Sequence, residues 1–334
     1  MKTRGNVSGT QTVAVGPAGG SESLAPVDPE FNELSGAGMA AKYGLAVAGA
    51  RPSPWAYAKR LWVARHFIVT WATARNQALY SGSRLGQIWQ VLTPILNVGV
   101  YYLIFGVLLG TSRGVPDFIV YLVTGVFIFN FMQTAMLYGS RAISDNLNLI
   151  RALYFPRASL PIAITIIQLQ QLIIAMVILV GVALVRGEPV TWHWLLIAVA
   201  LALQFVFNTG LALFVARFGA ILTDTSQLLP FLLRTWMYGS GVFYSIKNMI
   251  AQHPSTPAAL AWVLDHNPPL IFIQLVRSQL ITPPAPNPKQ TAAQIANAMY
   301  LPPHAWLWAV AWALAIGVGG YLYFWQGEET YGRG

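Results

Sequence analysis

Residues 162–185 contain no charged side chain and are long enough to cross a lipid bilayer as a single helix. A hydrocarbon core of roughly 30 Å needs about 20 apolar residues at ~1.5 Å rise per residue. Charged residues make up only 9% of the 334 positions, too few to cover the surface of a soluble protein of this length. The sequence therefore predicts an all-α integral membrane protein with six transmembrane helices. The other five spans are predicted at residues 88–109, 118–138, 194–215, 228–244 and 306–325.

The distribution of Lys and Arg predicts the orientation of these spans. Segments assigned to the inner face carry eleven of these residues between Lys42 and Arg217, against five in the outer segments. Basic residues accumulate on the cytoplasmic side of membrane proteins, which places both termini in the cytoplasm. The same bias accounts for the net charge of +9 without nucleic-acid binding. Residues 1–50 are expected to form a disordered cytoplasmic tail, and residues 327–334 a short cytoplasmic C-terminal segment.

Three segments outside the spans have distinct compositions. Residues 53–84 mix Trp with Lys and Arg, which favours an amphipathic helix in the headgroup layer; a soluble helix packed on a partner is the alternative. Residues 140–161 predict a cytoplasmic loop that contains a short helix. Residues 267–281 are apolar but short and carry Arg277, which favours a re-entrant or surface-lying helix on the outer face before the last span. If this segment spanned the membrane instead, the C-terminus would lie outside.

Signatures of catalysis and metal binding are absent from the sequence. The chain has no cysteine and no Gly-Lys pair, which a Walker A nucleotide loop would need. Its five histidines never fall at metal-ligand spacing. The acid–x–acid triplet Asp28 to Glu30 lies in the N-terminal tail. We therefore expect no catalytic residue, no metal site and no cofactor in this chain.

Aromatic side chains are concentrated in the predicted first and fifth spans. Flat amphipathic rings suit the apolar faces of sugars, while their polar atoms suit sugar oxygens. An interface belt or simple packing explains Trp and Tyr near span ends equally well. Arg234, in the predicted fifth span, either extends to the cytoplasmic interface or lines a pore or dimer interface.

Four segments, in order along the chain, resemble type-2 ABC exporter permeases. Residues 80–94 (YSGSRLGQIWQVLTP) are similar to the start of that family's first span, although the usual basic residue beside the tyrosine is absent. Residues 148–161 are similar to its cytoplasmic loop, residues 218–244 to its fifth span, and residues 267–280 to the segment before its last span. The polysaccharide-export branch, which carries lipid-linked O-antigen, teichoic acid and related glycans, is the most similar. Composition and the long tail favour a lipid-linked galactan of the mycobacterial type.

The resemblance implies a transport subunit that is not an enzyme. Residues 85–326 would form the transmembrane domain of a homodimer in the bacterial plasma membrane, with two separate ATPase subunits that bind ATP and magnesium. An exporter of a small molecule or drug, or a stand-alone lipid-carrier flippase, are the alternatives. The implied ATPase-coupling residues are Asn148, Leu149, Arg151, Tyr154, Phe155 and Arg157. The implied substrate-entrance gate is Tyr80, Arg84, Leu85 and Gly86, and the implied channel lining is Tyr101, Phe105, Arg234, Trp236, Tyr238, Phe243 and Tyr244.

Overall fold

A computed structural model describes residues 52–82, 84–110, 115, 117–222, 224–282 and 291–331. The predicted tail at residues 1–50 lies outside these ranges. Within them all regular secondary structure is helical, which confirms the predicted all-α class. The helices are α1 (Pro54–Val63), α2 (Arg65–Ser81), α3 (Trp89–Tyr101), α4 (Phe118–Gly139), α5 (Leu147–Ala152), α6 (Ser159–Val185), α7 (Trp194–Ile221), α8 (Thr225–Tyr238), α9 (Ile246–Gln252), α10 (Ala258–Asp265), α11 (Pro268–Leu280), α12 (Ala292–Ala298) and α13 (Ala305–Gln326).

Five described helices are long and apolar enough to cross a membrane. They are α3 continued by the π-helix Tyr102–Leu108 (the span is Ile88–Leu108), α4, α6, α7 and α13, and they match five of the six predicted spans. Arg186 after α6 is 2.9 Å from Asp117 before α4, whereas Gly139 at the end of α4 packs on Ala212 late in α7. Sequential spans therefore run in opposite directions. We call the end of the bundle that carries α1 the α1 end, and the end that carries Asp117 the opposite end.

Burial differs sharply among the spans. In α4, 78% of the apolar window is buried within the protein, so this helix occupies the centre of the bundle. In the first span, Ile88–Leu108, no residue is fully buried, so this span lies at the periphery of the protomer. Apolar helix surface of this length must be covered by lipid or by another protein.

The predicted fifth span is shorter than expected. The helix α8 has 14 residues and ends at Tyr238, which gives about 21 Å of helix against the roughly 30 Å of a bilayer core. The chain leaves the helix at Gly239-Ser240-Gly241, where Gly241 has a positive φ of 65°. Residues 239–244 then continue in non-helical form towards the start of α4. Glycine is favoured at this turn because other residues pay for a left-handed backbone.

The segment 267–281 dips into the bundle instead of lying on its surface. Helix α11 is 13 residues long and almost wholly buried, in contact with α4, α7 and α13. Its N-cap Asn267 donates to the carbonyl of Gly239, and the indole of Trp312 in α13 donates to the carbonyl of His266. The amide of Thr282 donates to Glu188 beside the opposite end. Helix α11 is therefore buried in the bundle, as the re-entrant interpretation predicts and the surface-lying one does not.

The predicted amphipathic helix at residues 53–84 is divided into α1 and α2 at Ala64. Trp55 and Trp62 are exposed, as expected for a helix in the headgroup layer. Helix α2 is tied to α6 by side-chain amides: Asn76 donates to Gln170 at 3.1 Å and accepts from Gln171 at 3.2 Å. This segment is therefore attached to the bundle along its length.

Candidate functional site

A polar cleft lies between α3, α4 and α6. It has a volume of about 810 Å³, counting the part open to the surroundings, and none of the described residues that line it is charged. Trp89 and Tyr101 of the first span and Tyr80 of α2 contribute aromatic rings. The amide and hydroxyl side chains that line it are Gln90, Thr93, Asn97, Asn130, Gln133, Thr134, Gln168 and Gln171.

The cleft places uncharged hydrogen-bonding groups at membrane depth. Asn97 and Asn130 lie near the middle of their spans, and both are exposed in the protomer. A polar group facing lipid without a partner costs free energy, so such groups face a protein interior or water-filled space. Amides that donate and accept, beside aromatic rings, form an environment suited to hydroxyl-rich uncharged molecules such as sugars.

Four of the predicted channel-lining residues meet in one aromatic cluster. The ring of Phe243 stacks on Phe105 with centroids 4.1 Å apart and an interplanar angle of 8°. Its centroid lies 5.1 Å from that of Tyr101 and 5.6 Å from that of Tyr238. The cluster joins the first span to the non-helical end of the fifth crossing, and Tyr101 also lines the cleft.

The other three predicted lining residues are placed differently. The indole of Trp236 donates to Asn267 at 2.8 Å, so this residue supports the start of α11 instead of the cluster. Tyr244 donates to the carbonyl of Tyr238 at 2.6 Å and stabilises the turn that carries Phe243. Arg234 is exposed on α8. It lies about 14 Å along the axis from Thr225, well inside the helix and not at its first turn.

The predicted substrate-entrance gate is divided between two environments. Tyr80 lines the cleft, whereas Arg84 and Leu85 are exposed beside it. Gly86 has a positive φ of 51°, which lets the chain turn from α2 into the first span. A Cβ at Gly86 would meet no atom within 4 Å, so the backbone conformation and not crowding favours glycine there.

The six predicted coupling residues separate into an exposed set and a packed set. Asn148, Arg151 and Tyr154 are exposed, and Tyr154 reaches 89% relative exposure. Phe155 packs against Phe67 of α2 with ring centroids 5.5 Å apart, and Leu149 and Arg157 are also turned towards the protein. The exposed residues present one short polar and aromatic surface at the α1 end.

The sequence model of the ABC-2 type transporter family matches residues 68–281. The chain belongs to that family. The O-antigen export system permease protein RfbA of Myxococcus xanthus is 25% identical over 191 residues, which cover 57% of this chain and 73% of the relative. An O-antigen export system permease protein RfbA of Klebsiella pneumoniae is 22% identical over 191 residues, which cover 57% of this chain and 70% of the relative. The resemblance found in the sequence is thereby confirmed.

Two features of this ABC-2 transporter chain were not predicted as functional. The amides of the cleft include Asn97, Asn130 and Gln168, each inside a predicted span, and an amide within an apolar run is a signal that it faces the interior. The second feature is Arg277, which is 0% exposed. Its guanidinium donates to the carbonyls of Tyr121, Gly241 and Val242 at 2.8–3.2 Å. These bonds join α11 to the first turn of α4 and to the unwound end of the fifth crossing.

Proposed function

We propose that this chain is the permease subunit of an ATP-driven exporter that moves a lipid-linked polysaccharide across the plasma membrane. The observation that carries the proposal is the cleft, whose uncharged amides, hydroxyls and aromatic rings lie at membrane depth within an ABC-2 type fold. The O-antigen permeases among its relatives support the polysaccharide class. A lipid-linked galactan is the specific substrate that we propose, with O-antigen and teichoic-acid-like glycans as its nearest alternatives.

The energy source in this proposal is a separate ATPase subunit, present in two copies, that binds ATP and magnesium. The surface formed by Asn148, Arg151 and Tyr154 is its docking site. Short helices that project from one protein bind grooves in another through a few exposed side chains. The exposed aromatic ring of Tyr154 is suited to such a groove, since aromatic residues dominate interface energetics.

Two copies of the chain are proposed to assemble through the surfaces of α3 and α8. Both helices leave large apolar side chains exposed in the protomer, among them Leu96, Val100, Phe231 and Leu232. Arg234 lies on the exposed part of α8 as well. A cation that far inside a membrane helix is costly against lipid, so a water-filled passage between two protomers is the better environment. Both termini are proposed to lie in the cytoplasm, at the α1 end.

Depletion of the chain in its own host tests the proposed substrate. We expect a lipid-linked galactan to accumulate on the cytoplasmic side, and an ATP-binding subunit to co-purify with the permease. Accumulation of a different lipid-linked glycan would identify that glycan, and not the galactan, as the substrate. Accumulation of no lipid-linked glycan would favour a small-molecule exporter, and purification without an ATPase would favour a stand-alone flippase.

The cleft itself is tested by the double variant Asn97→Leu, Asn130→Leu. Leucine is favourable at membrane depth, so insertion and folding should be retained. Export should nevertheless fall by about tenfold or more, because loss of hydrogen bonds worth ~1.5 kcal/mol in total has that effect. The measurement is export by cells that contain only the variant, at matched membrane abundance. Val177→Leu, an exposed position of α6 outside both the cleft and the proposed dimer surface, is the control. Equal export by both variants would exclude the cleft from the substrate path.

The docking surface is tested by Tyr154→Ala. The side chain is almost fully exposed, and Arg60 donates to its hydroxyl at 3.4 Å. Its loss should leave the permease folded but weaken ATPase binding by about tenfold or more, since truncating an aromatic interface anchor costs ~2 kcal/mol. Affinity for the purified ATPase is the measurement. Tyr154→Phe, which removes only the hydroxyl, should bind nearly as well as the natural chain; wild-type affinity of Tyr154→Ala would exclude the docking role.

A further inference from the structure

Three segments that are remote in sequence meet in a partly buried junction at the α1 end. The hydroxyl of Tyr57 in α1 donates to Oε2 of Glu328 at 2.7 Å and accepts from the backbone amide of Ala158 at 3.0 Å. The backbone amide of Arg157 donates to Oε1 of Glu328 at 3.1 Å. The guanidinium of Arg157 donates to the carbonyl oxygen of Glu328. We call Tyr57, Arg157, Ala158 and Glu328 the tail junction.

The tail junction requires a carboxylate at position 328. Both carboxylate oxygens accept hydrogen bonds, so an amide, which has one acceptor and one donor group, matches only half of the site. Burial raises the pKa of the Glu328 carboxyl, while the hydrogen bond from Tyr57 and the neighbouring Arg157 act in the opposite direction. A carboxylate removed from water is tolerated where such donors surround it.

The junction lies between the proposed ATPase-docking helix and the last span. Helix α5 and Tyr154 immediately precede Arg157, and Ala158 is the N-cap of α6. Glu328 follows α13 by two residues. The start of α1 is held by α13 as well, because Tyr321 donates to the carbonyl of Pro54 at 2.6 Å and Trp325 donates to the carbonyl of Pro52 at 2.9 Å. We call residues 140–158, between α4 and α6, the α5 loop. A displacement of this loop must therefore either break the junction or carry α1 and α13 with it.

We propose that Glu328 is a positioning residue that joins the α5 loop to α1 and to the last span, so that these elements move as one unit when the ATPase closes. The inference rests on the proposed function, and it assigns Arg157 to this internal joint instead of to contact with the ATPase. The short segment after α13 thus takes part in coupling ATP hydrolysis to export.

The functional test uses the complete complex of permease and ATPase in proteoliposomes, with ATP hydrolysis and export measured together. In Glu328→Ala, export per ATP hydrolysed should fall by about tenfold, equivalent to ~1.4 kcal/mol of coupling, while hydrolysis changes by less than about twofold. Glu328→Gln should be intermediate, because it keeps one acceptor. Thr330→Ala, which truncates an exposed side chain of the same segment outside the junction, is the control and should couple normally.

The double variant Tyr57→Phe, Glu328→Ala separates this joint from general weakening of the protein. If the two residues act through their shared hydrogen bond, export per ATP in the double variant should be no lower than in the more impaired of the two single variants. Additive losses would overturn the proposal. Tyr57→Phe removes one hydroxyl, so it also provides a milder variant if Glu328→Ala does not fold.

A distance measurement tests the joint independently of export. The chain has no cysteine, so two introduced cysteines, Lys59→Cys in α1 and Ala152→Cys at the end of α5, are the only sites that take a spin label. Their distance distribution should be narrow in the otherwise unchanged permease and broad in Glu328→Ala. If the exporter assignment fails, this result still reports on the joint. Equal distributions in Glu328→Ala and the control Thr330→Ala would overturn the proposal.

Discussion

Arg277→Met is expected to leave little folded protein in detergent. Four hydrogen bonds from the guanidinium join α11 to the carbonyls of Tyr121, Gly241 and Val242, all in the buried interior. Residues 239–244 are not helical, so their carbonyls have no regular helical partners. Each buried acceptor left without a donor costs ~1–3 kcal/mol, so we expect a loss of about 3 kcal/mol or more. That is a large part of the ~5–15 kcal/mol that holds a typical fold together.

The surroundings of Arg277 show why no other residue replaces it. The guanidinium lies 3.3 Å from the ring centroid of Tyr121, a cation–π contact in addition to the hydrogen bonds. A Cβ at Gly125 would lie 2.5 Å from a guanidinium nitrogen, so glycine at that position makes room for the planar group. Non-helical backbone at membrane depth persists only where protein groups satisfy it, and here Arg277 satisfies the carbonyls of Gly241 and Val242.

Thermal unfolding in detergent and the yield of monodisperse protein measure this effect. Arg277→Lys keeps the charge but cannot donate in a planar fork, so we expect it to be nearly as unstable. Arg186→Met is the matched control, because the Arg186 side chain is 49% exposed in its ion pair with Asp117, and pairs with an exposed partner contribute ~1 kcal/mol or less. Equal unfolding temperatures for Arg277→Met and Arg186→Met would refute this account.

Gly320→Ala is expected to be the second most damaging change, although it adds a single methyl group. Its Cβ would overlap the backbone of Gly210 in α7, and a Cβ at Gly210 would overlap that of Ile316 in α13. The two helices touch backbone to backbone, so neither side can yield by a rotamer change. Overpacking of this kind costs ~1–3 kcal/mol or more. Here it would push apart α7 and α13, which share the most extensive contact of any two helices in the bundle.

Gly319→Ala, in contrast, should raise the unfolding temperature. A Cβ there would meet nothing within 4 Å, and alanine in place of glycine favours a helix by up to ~1 kcal/mol. Thermal unfolding of the two variants, prepared in the same detergent, compares adjacent positions with identical chemistry. A similar unfolding temperature for both would show that α7 and α13 do not pack through Gly210 and Gly320.

The helix contact through these glycines was not evident from the sequence. One GxxxG match, Gly106 to Gly110 at the end of the predicted first span, is a weak pattern because glycine is common in spans. In the structure a Cβ at Gly106 would meet the side chains of Tyr102 and Phe118, and Gly110 has a positive φ of 61°. Neither glycine brings two helix backbones together. Which small residues face another helix depends on the packing of whole helices, which a local pattern does not contain.

Only part of the candidate site could be predicted from the sequence, because the site also depends on how whole helices pack. Tyr101, Phe105, Tyr238 and Phe243 were expected together and do meet, because aromatic residues in two neighbouring crossings have few other places to pack. Trp236 was assigned to the same lining, yet it hydrogen-bonds to the re-entrant element. The amides of the cleft, two in each of three spans, form no local pattern that marks a shared site, because only the fold brings the three spans together.

The sequence by itself determined the class of the protein, five of its crossings and its family, because each depends on local runs of hydrophobicity or on contiguous motifs. The end of α8 and the tail junction were decided only by the tertiary structure. An apolar stretch at residues 228–244 cannot show that its helix stops at Tyr238, since that depends on an arginine more than thirty residues later that satisfies the unwound carbonyls. Likewise, Glu328 acquires its partners only when α1, the α5 loop and α13 are packed, because a hydrogen-bond network among remote segments leaves no local signal in the chain.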